Sequence, residues 1–231
     1  MSLENRLWGA PRIHGELLKL GYEICETTIA KYMVRQPGPP SQTWRAIIRN
    51  HMTEISAIDF FTVHTAAFKT IYVFVILSLD RRRIVHFNVT TNPTAEWTSL
   101  QLIQALPFDL APRYLIRDRD GIYGQQVVDT LNGMGVKQVV ISRRSPWQNG
   151  YCERVIGTIR RECLDHVIVL SERHLRRVLT EYLAYYHESR THLGLGKDTP
   201  ESRRIQYPDV GPVASEPVLG GLHHRYYRDA A

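Results

Sequence analysis

Residues 54–90 read EISAIDFFTVHTAAFKTIYVFVILSLDRRRIVHFNVT, and the elements in this stretch decide the fold. Three runs rich in Ile, Val and Phe are separated by short polar breaks, the pattern of three β-strands. IYVFVILSLD is apolar on both faces, which suits a central strand covered on both sides. The short basic turn DRRR joins the second and third runs, so these neighbours run antiparallel. Downstream, TAEWTSLQLIQAL predicts a helix with Trp97, Leu100 and Ile103 or Leu106 on one face. RYLIRD predicts a short buried strand, GQQVVDTLNGMG a helix closed by glycine, and KQVVIS another short strand. Helices are expected over 151–167 and 171–188. Three meandering strands followed by βαβαβ units make a mixed five-stranded sheet flanked by helices, an α/β fold.

Upstream, PRIHGELLKLGYEICETTIAKYMVR carries two short helical patterns. The first starts at Pro11, presents Ile13, Leu17, Leu18 and Leu20 as a stripe and stops at Gly21. The second is capped by Thr27 or Thr28, with Ile29, Tyr32 and Met33 inward and Lys31 and Arg35 outward. This is either a helix-turn-helix or an ordinary helical hairpin. QPGPPSQTWR then marks a linker. The expected organisation is a helix-turn-helix-like segment over 1–36, a linker over 37–50, the α/β core over 51–205 and an extended, loop-rich tail over 206–231.

The chain has 231 residues, 43% hydrophobic and 23% charged, which suits a folded globular protein rather than a disordered one. A net charge of +6 and an isoelectric point of about 9.3 favour a polyanionic partner such as nucleic acid. Cys25, Cys152 and Cys163 form no CxxC pair and are odd in number, which argues against a disulfide framework and for a reducing, intracellular compartment. The histidines lack zinc-finger spacing with them. IYVFVILSL, the longest apolar run, is too short to cross a bilayer, and MSLENRLWG has no signal-peptide core. Neither a membrane nor a small-molecule substrate is expected.

The acids carry the chemistry. Asp59 interrupts an apolar strand, where a carboxylate needs a metal, a partner or solvent. Asp118 and Asp120 close the fourth strand in YLIRDRDGIYG, at the kind of strand end where open α/β sheets place ligands. Asp120-Gly121 also reads as a plain turn. In SPWQNGYCERVIGTIRREC, residues 145–163, a loop becomes a helix with Glu153 in its first turn. Taken alone, Glu153 reads first as a partner for the helix dipole. Together, a strand Asp, a strand-end Asp and a helix Glu can converge within coordination range of a pair of divalent ions. Carboxylates suit Mg2+ or Mn2+, and two such ions clamp the attacking and leaving oxygens of a phosphodiester. Glu153 and Arg160, seven apart, share nearly one helix face, with Gly157 between them leaving room for a close backbone. Val155, Ile159 and Cys163 face the core, and Arg154 and Arg161 flank.

AIDFFTV, LIRDRDGIYG and the SPxxNGxxER pattern with an Arg seven residues after the Glu resemble the core of bacterial insertion-sequence transposases and retroviral integrases. These are the DDE recombinases, with a ribonuclease-H-like fold. The resemblance runs roughly from Trp44 to Ile205, and PRIHGELLKLGYEICETTIAKYM resembles the helix-turn-helix before such cores. It implies that Asp59, Asp118 and Glu153 are the catalytic acids and hold two Mg2+ or Mn2+ ions. A metal-activated water or a DNA 3′-hydroxyl then attacks in line, first nicking the element's end and then joining it to target DNA. DRDG departs from the family's usual Asp-Asn-Gly or Asp-Arg-Gly, so Asp118 and Asp120 compete. The 34 residues between Asp118 and Glu153, and Tyr123 five after Asp118, favour Asp118.

The resemblance puts Arg160 where a basic residue contacts the element's end. The other expected DNA contacts are Lys31 and Arg35 in the second helix, Arg143, Arg144, Gln148 and Asn149 in the loop, and Arg154 and Arg161. Trp147 either grips DNA or anchors its loop. Element ends and target DNA are the implied partners, with a homo-oligomer assembled on DNA, in a bacterial cytoplasm and associated with the nucleoid. Two other readings share the features. One is a transposase remnant that binds DNA without cutting, which the intact acids disfavour. The other is a ribonuclease-H-type nuclease acting on RNA–DNA hybrids, against which the N-terminal helices and the Pro-rich linker speak.

Overall fold

The computed structural model describes Met1 and residues 10–33, 43–107, 111–143 and 145–229. Arg35, Arg144 and most of the proline-rich linker lie outside the described residues. The chain divides into two compact units, Met1–Thr43 and Trp44–Ala231. In the first, α1 (Ala10–Lys19) stops at Gly21, whose φ of 83° is a left-handed value that favours glycine. Helix α2 (Glu26–Tyr32) follows. Ile13 and Ile29 are buried, while Leu18, Leu20 and Tyr32 are exposed, so the apolar stripe is narrower than expected and Tyr32 points outward. The N-cap of α2 is Cys25 rather than either threonine; its Sγ lies 3.1 Å from Thr27 Oγ1 and 2.9 Å from Thr28 Oγ1.

The second unit opens with α3 (Trp44–Asn50), a helix within the stretch expected as linker. Strands β1 (Ile55–His64), β2 (Thr70–Ser78) and β3 (Arg83–Thr90) form the antiparallel meander. After α4 (Ala95–Ala105), β4 (Tyr114–Arg117) pairs parallel to β1; after α5 (Gln125–Gly133), β5 (Lys137–Val140) pairs parallel to β4. The sheet order is β3-β2-β1-β4-β5, with β1 in the middle.

Side chains alternate along β1. Ala57 and Phe61 enter a core shared with α6 (Gly150–Glu162) and α7 (Glu172–Glu188), whereas Ile58 and Phe60 pack on the other face with Leu102, Val127 and Leu131 of α4 and α5. Asp59 therefore faces α6. Val155, Ile159 and Cys163 are buried, as their spacing requires.

Two expectations fail on the α4 face and in the tail. Leu100 and Ile103 of α4 are exposed, and the buried side chains are Thr98, Ser99, Gln101 and Leu102. Gln101 Oε1 lies 3.0 Å from His86 Nε2 and accepts from Asn88 Nδ2 at 2.5 Å, so a polar contact to β3 turns this helix. The expected extended tail folds into a hairpin, β6 (Val213–Val218) and β7 (His223–Arg228). His223 stacks on Tyr185 at 4.6 Å and donates to the Glu162 carbonyl at 2.7 Å. Among the described residues no helix is long and apolar enough to cross a membrane.

The face assignment of α4 is testable. Leu102→Ala should lower the unfolding free energy by about 2–5 kcal/mol, as for a buried leucine. Leu100→Ala should change it by less than about 0.5 kcal/mol. Urea denaturation followed by circular dichroism measures both, and the reverse ranking would contradict this orientation.

Candidate active site

The site lies where β4 leaves β1. The two strands pair only from Ile55 opposite Tyr114 to Ala57 opposite Ile116. The Ile55 carbonyl accepts from Leu79 N on the β2 side, so by alternation the backbone groups of residues 56, 58, 60 and 62 point towards β4. Beyond Ala57 that side has no strand, and buried backbone groups need other partners. Asn149 Nδ2 donates to the Ile58 carbonyl at 3.2 Å, the Asp59 carboxylate accepts from Phe60 N at 2.8 Å, and Arg160 donates to the Thr62 carbonyl at 3.1 Å. Helix α6 thus docks along the freed edge of β1, held by a residue at each end. This brings Glu153 to the face that carries Asp59.

Asp118 follows directly on β4. It alternates with Leu115 and Arg117 and so shares the Asp59 face with Ile116. Asp118 Oδ1 accepts from Asp120 N at 3.1 Å, and Asp120 Oδ1 accepts from Ile122 N at 3.0 Å. Asp118 is half-buried; Asp120 and Glu153 are exposed. Burial first, and then the negative charges of Asp118, Glu153 and Asp120 in that order, push Asp59 up to about 7; the hydrogen bond from Phe60 N opposes them. The strongest repulsion on Asp59 comes from Asp118.

All these donors are hard carboxylate oxygens, which suit Mg2+ or Mn2+, and a cation would offset both the burial and the repulsion that raise the Asp59 pKa. In chemistry the donor set fits a divalent ion. Among the described residues no three His, Cys, Asp or Glu side chains are gathered closely enough to hold one. The expected convergence within coordination range is therefore not seen, and Asp118 and Glu153 act on Asp59 as electrostatic neighbours.

The remaining predicted residues divide by exposure. Asn149 is buried and ties α6 to β1, so it does not line a DNA-accessible surface as expected. Gln148 works within its loop: its Oε1 accepts from Ser142 N at 2.6 Å and its carbonyl accepts from Trp44 Nε1 at 3.2 Å. Trp147 is 61% exposed and therefore no packing anchor. Arg143, Arg154, Arg160 and Arg161 are exposed. Arg160 also lies 5.2 Å from the Phe61 ring centre. Gly157 faces no backbone; the Arg161 guanidinium covers it, 3.1 Å from where a Cβ would stand. Lys31 is exposed and sits 5.7 Å from the Tyr32 ring centre.

Two features were missed. Arg117 is buried beside Asp118, donates to Gln138 Oε1 at 2.9 Å and lies 5.5 Å from the Tyr123 ring centre. The Tyr123 hydroxyl is buried without a hydrogen-bond partner, and burial raises its pKa ahead of the charge of Asp59. An Arg closing the short apolar strand RYLIRD was the available signal for the first. Tyr123 was marked only by its spacing five after Asp118; the burial of its hydroxyl was not.

Comparison with known proteins agrees with this architecture. The model of the family described as "Integrase core domain" matches residues 134–200, a stretch that contains Glu153 but neither Asp59 nor Asp118. The curated proteins give no match. Among solved structures, the HTLV-2 integrase catalytic core domain in complex with magnesium superposes with a TM-score of 0.52 at 14% identity, covering 64% of this chain and 94% of that one. A chain of the simian T-cell lymphotropic virus intasome, in complex with PP2A regulatory subunit B56 gamma, gives 0.54 at 13% identity, covering 96% and 87%. The Mos1 transposase catalytic domain with Raltegravir and Mg gives 0.50 at 16% identity, covering 61% and 75%. The second unit therefore has the ribonuclease-H-like fold of integrase and transposase catalytic cores.

The raised Asp59 makes a stability prediction. Its ordinary value is 3.8, so the folded chain holds an extra proton between that pH and about 7. Its stabilising contribution is complete below about pH 4 and is lost as pH rises through about 7. Asp59→Asn should therefore stabilise the metal-free protein at pH 8, by about 1–3 kcal/mol after solvent screening, and give no advantage at pH 4. Thermal melts in EDTA across this range check it. A pH-independent difference would contradict the burial and repulsion at Asp59.

Proposed function

We propose that this chain is a metal-dependent polynucleotidyl transferase, a DDE transposase or integrase that cuts phosphodiester bonds at element ends and joins the 3′ ends to target DNA. The observation that carries this reading is that Asp118 and Glu153 lie near enough to Asp59, along the edge of β1 that β4 abandons, for their charges to raise its pKa. The magnesium in the HTLV-2 and Mos1 structures supports a divalent ion in the same fold. Asp59, Asp118 and Glu153 would hold the ions, and a bound pair supplies an activated oxygen nucleophile and a polarised phosphate.

The chain's own residues prepare that chemistry. Asp59 must release its proton to serve as a ligand, so activity should rise with pH towards and through about 7. Arg117 holds a positive charge beside Asp118. The Cys152 thiol is buried with its pKa pushed well up, so it offers no nucleophile and the attacking oxygen comes from water or DNA. Exposed Arg143, Arg154 and Arg161 face backbone phosphates, and Trp147 offers a stacking surface. Arg160 holds α6 in place and contacts the element's end. Lys31 on α2 adds a contact from the N-terminal unit. The intasome assembly of a structural relative supports a homo-oligomer on DNA.

Single-turnover cleavage of a labelled element-end duplex in Mg2+ tests the assignments. Glu153→Gln and Asp118→Asn should each lower the rate by more than about two orders of magnitude, the scale of losing an electrostatic stabiliser. Asp120→Asn should stay within a few-fold of the parent. Duplex binding by Glu153→Gln should be retained. If Asp120→Asn is dead and Asp118→Asn active, the second acid is Asp120. A Glu153→Gln protein that cuts at the parental rate leaves DNA binding without this catalytic site.

A further inference from the structure

The turn between β2 and β3 carries three consecutive arginines, and the fold uses each differently. Arg81 donates to Asp198 Oδ2 and to the carbonyls of Thr199 and Pro200 at 2.7–2.8 Å. Arg83 lies 3.8 Å from Glu201. Arg82 pairs with no carboxylate among the described residues. Its backbone takes a φ of 57°, an uncommon value for a residue with a side chain. Its guanidinium lies directly over Gly194, where a Cβ would overlap it. Gly194 is not among the positive-φ glycines, so here glycine serves the close approach of Arg82 rather than a left-handed turn.

The seat of Arg82 faces α6. The guanidinium carbons of Arg82 and Arg154 each lie 5.9 Å from the Tyr151 ring centre. A cavity of about 200 Å3 lies among these three side chains, Gly194, Arg190 and His192. Arg190 is already neutralised by Glu162, to which it donates at 2.5 and 2.6 Å. His192 is buried, and burial first, with Arg190 and Arg82 adding to it, lowers its pKa. Among the described residues neither Arg82 nor Arg154 pairs with a carboxylate, so the two bring their positive charges to one cavity beside an aromatic ring. Like charges held together fit an anion, and planar guanidiniums match phosphate oxygens.

We propose that this cavity is a phosphodiester subsite in which Arg82 and Arg154 grip a backbone phosphate of bound DNA against Tyr151. The proposal rests on the transferase reading and extends it. Tyr151, Arg154 and Thr158 line the cavity from one face of α6, whereas Glu153 lies about 200° round the helix from Tyr151, so the gripped phosphate is held away from the reacting bond.

The test uses the full chain and one labelled duplex taken from the terminal sequence bordering its gene, with affinity measured over a salt series. Arg82→Gln should weaken binding about tenfold and reduce the salt slope by about one phosphate contact. Gly194→Ala keeps every charge but displaces the guanidinium, so it should weaken binding in the same direction, and the double variant should be no weaker than Arg82→Gln. Arg173→Gln, an equal loss of charge on the exposed part of α7, should stay within about twofold. Melting temperatures establish that each variant is folded, and Arg82→Gln decides the matter if Gly194→Ala is not. Unchanged affinity and slope in Arg82→Gln, losses equal to those of Arg173→Gln, or no duplex binding by the parent would overturn the subsite. Mg2+-dependent cleavage is read separately. A parent that cuts while Arg82→Gln binds normally loses only the subsite; an Arg82-dependent binder that never cuts loses only the catalytic reading.

Discussion

The structure depends on an unfinished strand pairing. β4 accompanies β1 for three residues and then departs, which exposes the β1 backbone in the middle of the sheet. Of the backbone groups turned to that side, the Ile58 carbonyl, the Phe60 amide and the Thr62 carbonyl find partners in Asn149, Asp59 and Arg160. Each partner stands at the site. An open edge in the centre of a sheet would be costly, and here the groups that close it also fix where α6 lies. The position of Glu153 follows from how the β1 ladder is completed.

The same geometry sets the electrostatics. The gap lets the end of β4 turn away and leave Asp118 beside Asp59. Asp59 itself stays partly buried under α6, with Asp118 and Glu153 nearby and Cys152 packed beside it. Burial and repulsion then act in one direction, towards a protonated Asp59. Among the described residues, Arg117 beside Asp118 is the one buried positive charge next to the acids.

The sheet was legible because period-two alternation and short polar breaks survive in the sequence, and strand order follows from the length of each connection. The acids were legible because Asp59 breaks an apolar strand and Glu153 opens a helix. The face of α4 was not, since Gln101 is buried by a hydrogen-bond network with His86 and Asn88 that hydrophobic spacing does not encode. Asn149 read as a loop residue at the surface, because its burial follows from the missing β4 partner, a tertiary fact. The DRRR turn read as one basic patch. Only the fold separates Arg81, held by Asp198, from Arg82, seated on Gly194. The tail hairpin was missed for a similar reason, as it is pinned by the stacking of His223 on Tyr185 rather than by strong local strand propensity.

The central claim is that Asp59, Asp118 and Glu153 together form a divalent-metal site. Diffraction from crystals soaked in Mn2+, recorded at an anomalous wavelength, tests it most directly. The account predicts anomalous density between the three carboxylates, with Asp59 and Asp118 both bound and Asp120 turned away. Crystals that take up Mn2+ elsewhere while this edge of β1 stays empty, or that bind it through Asp120 in place of Asp118, would contradict it.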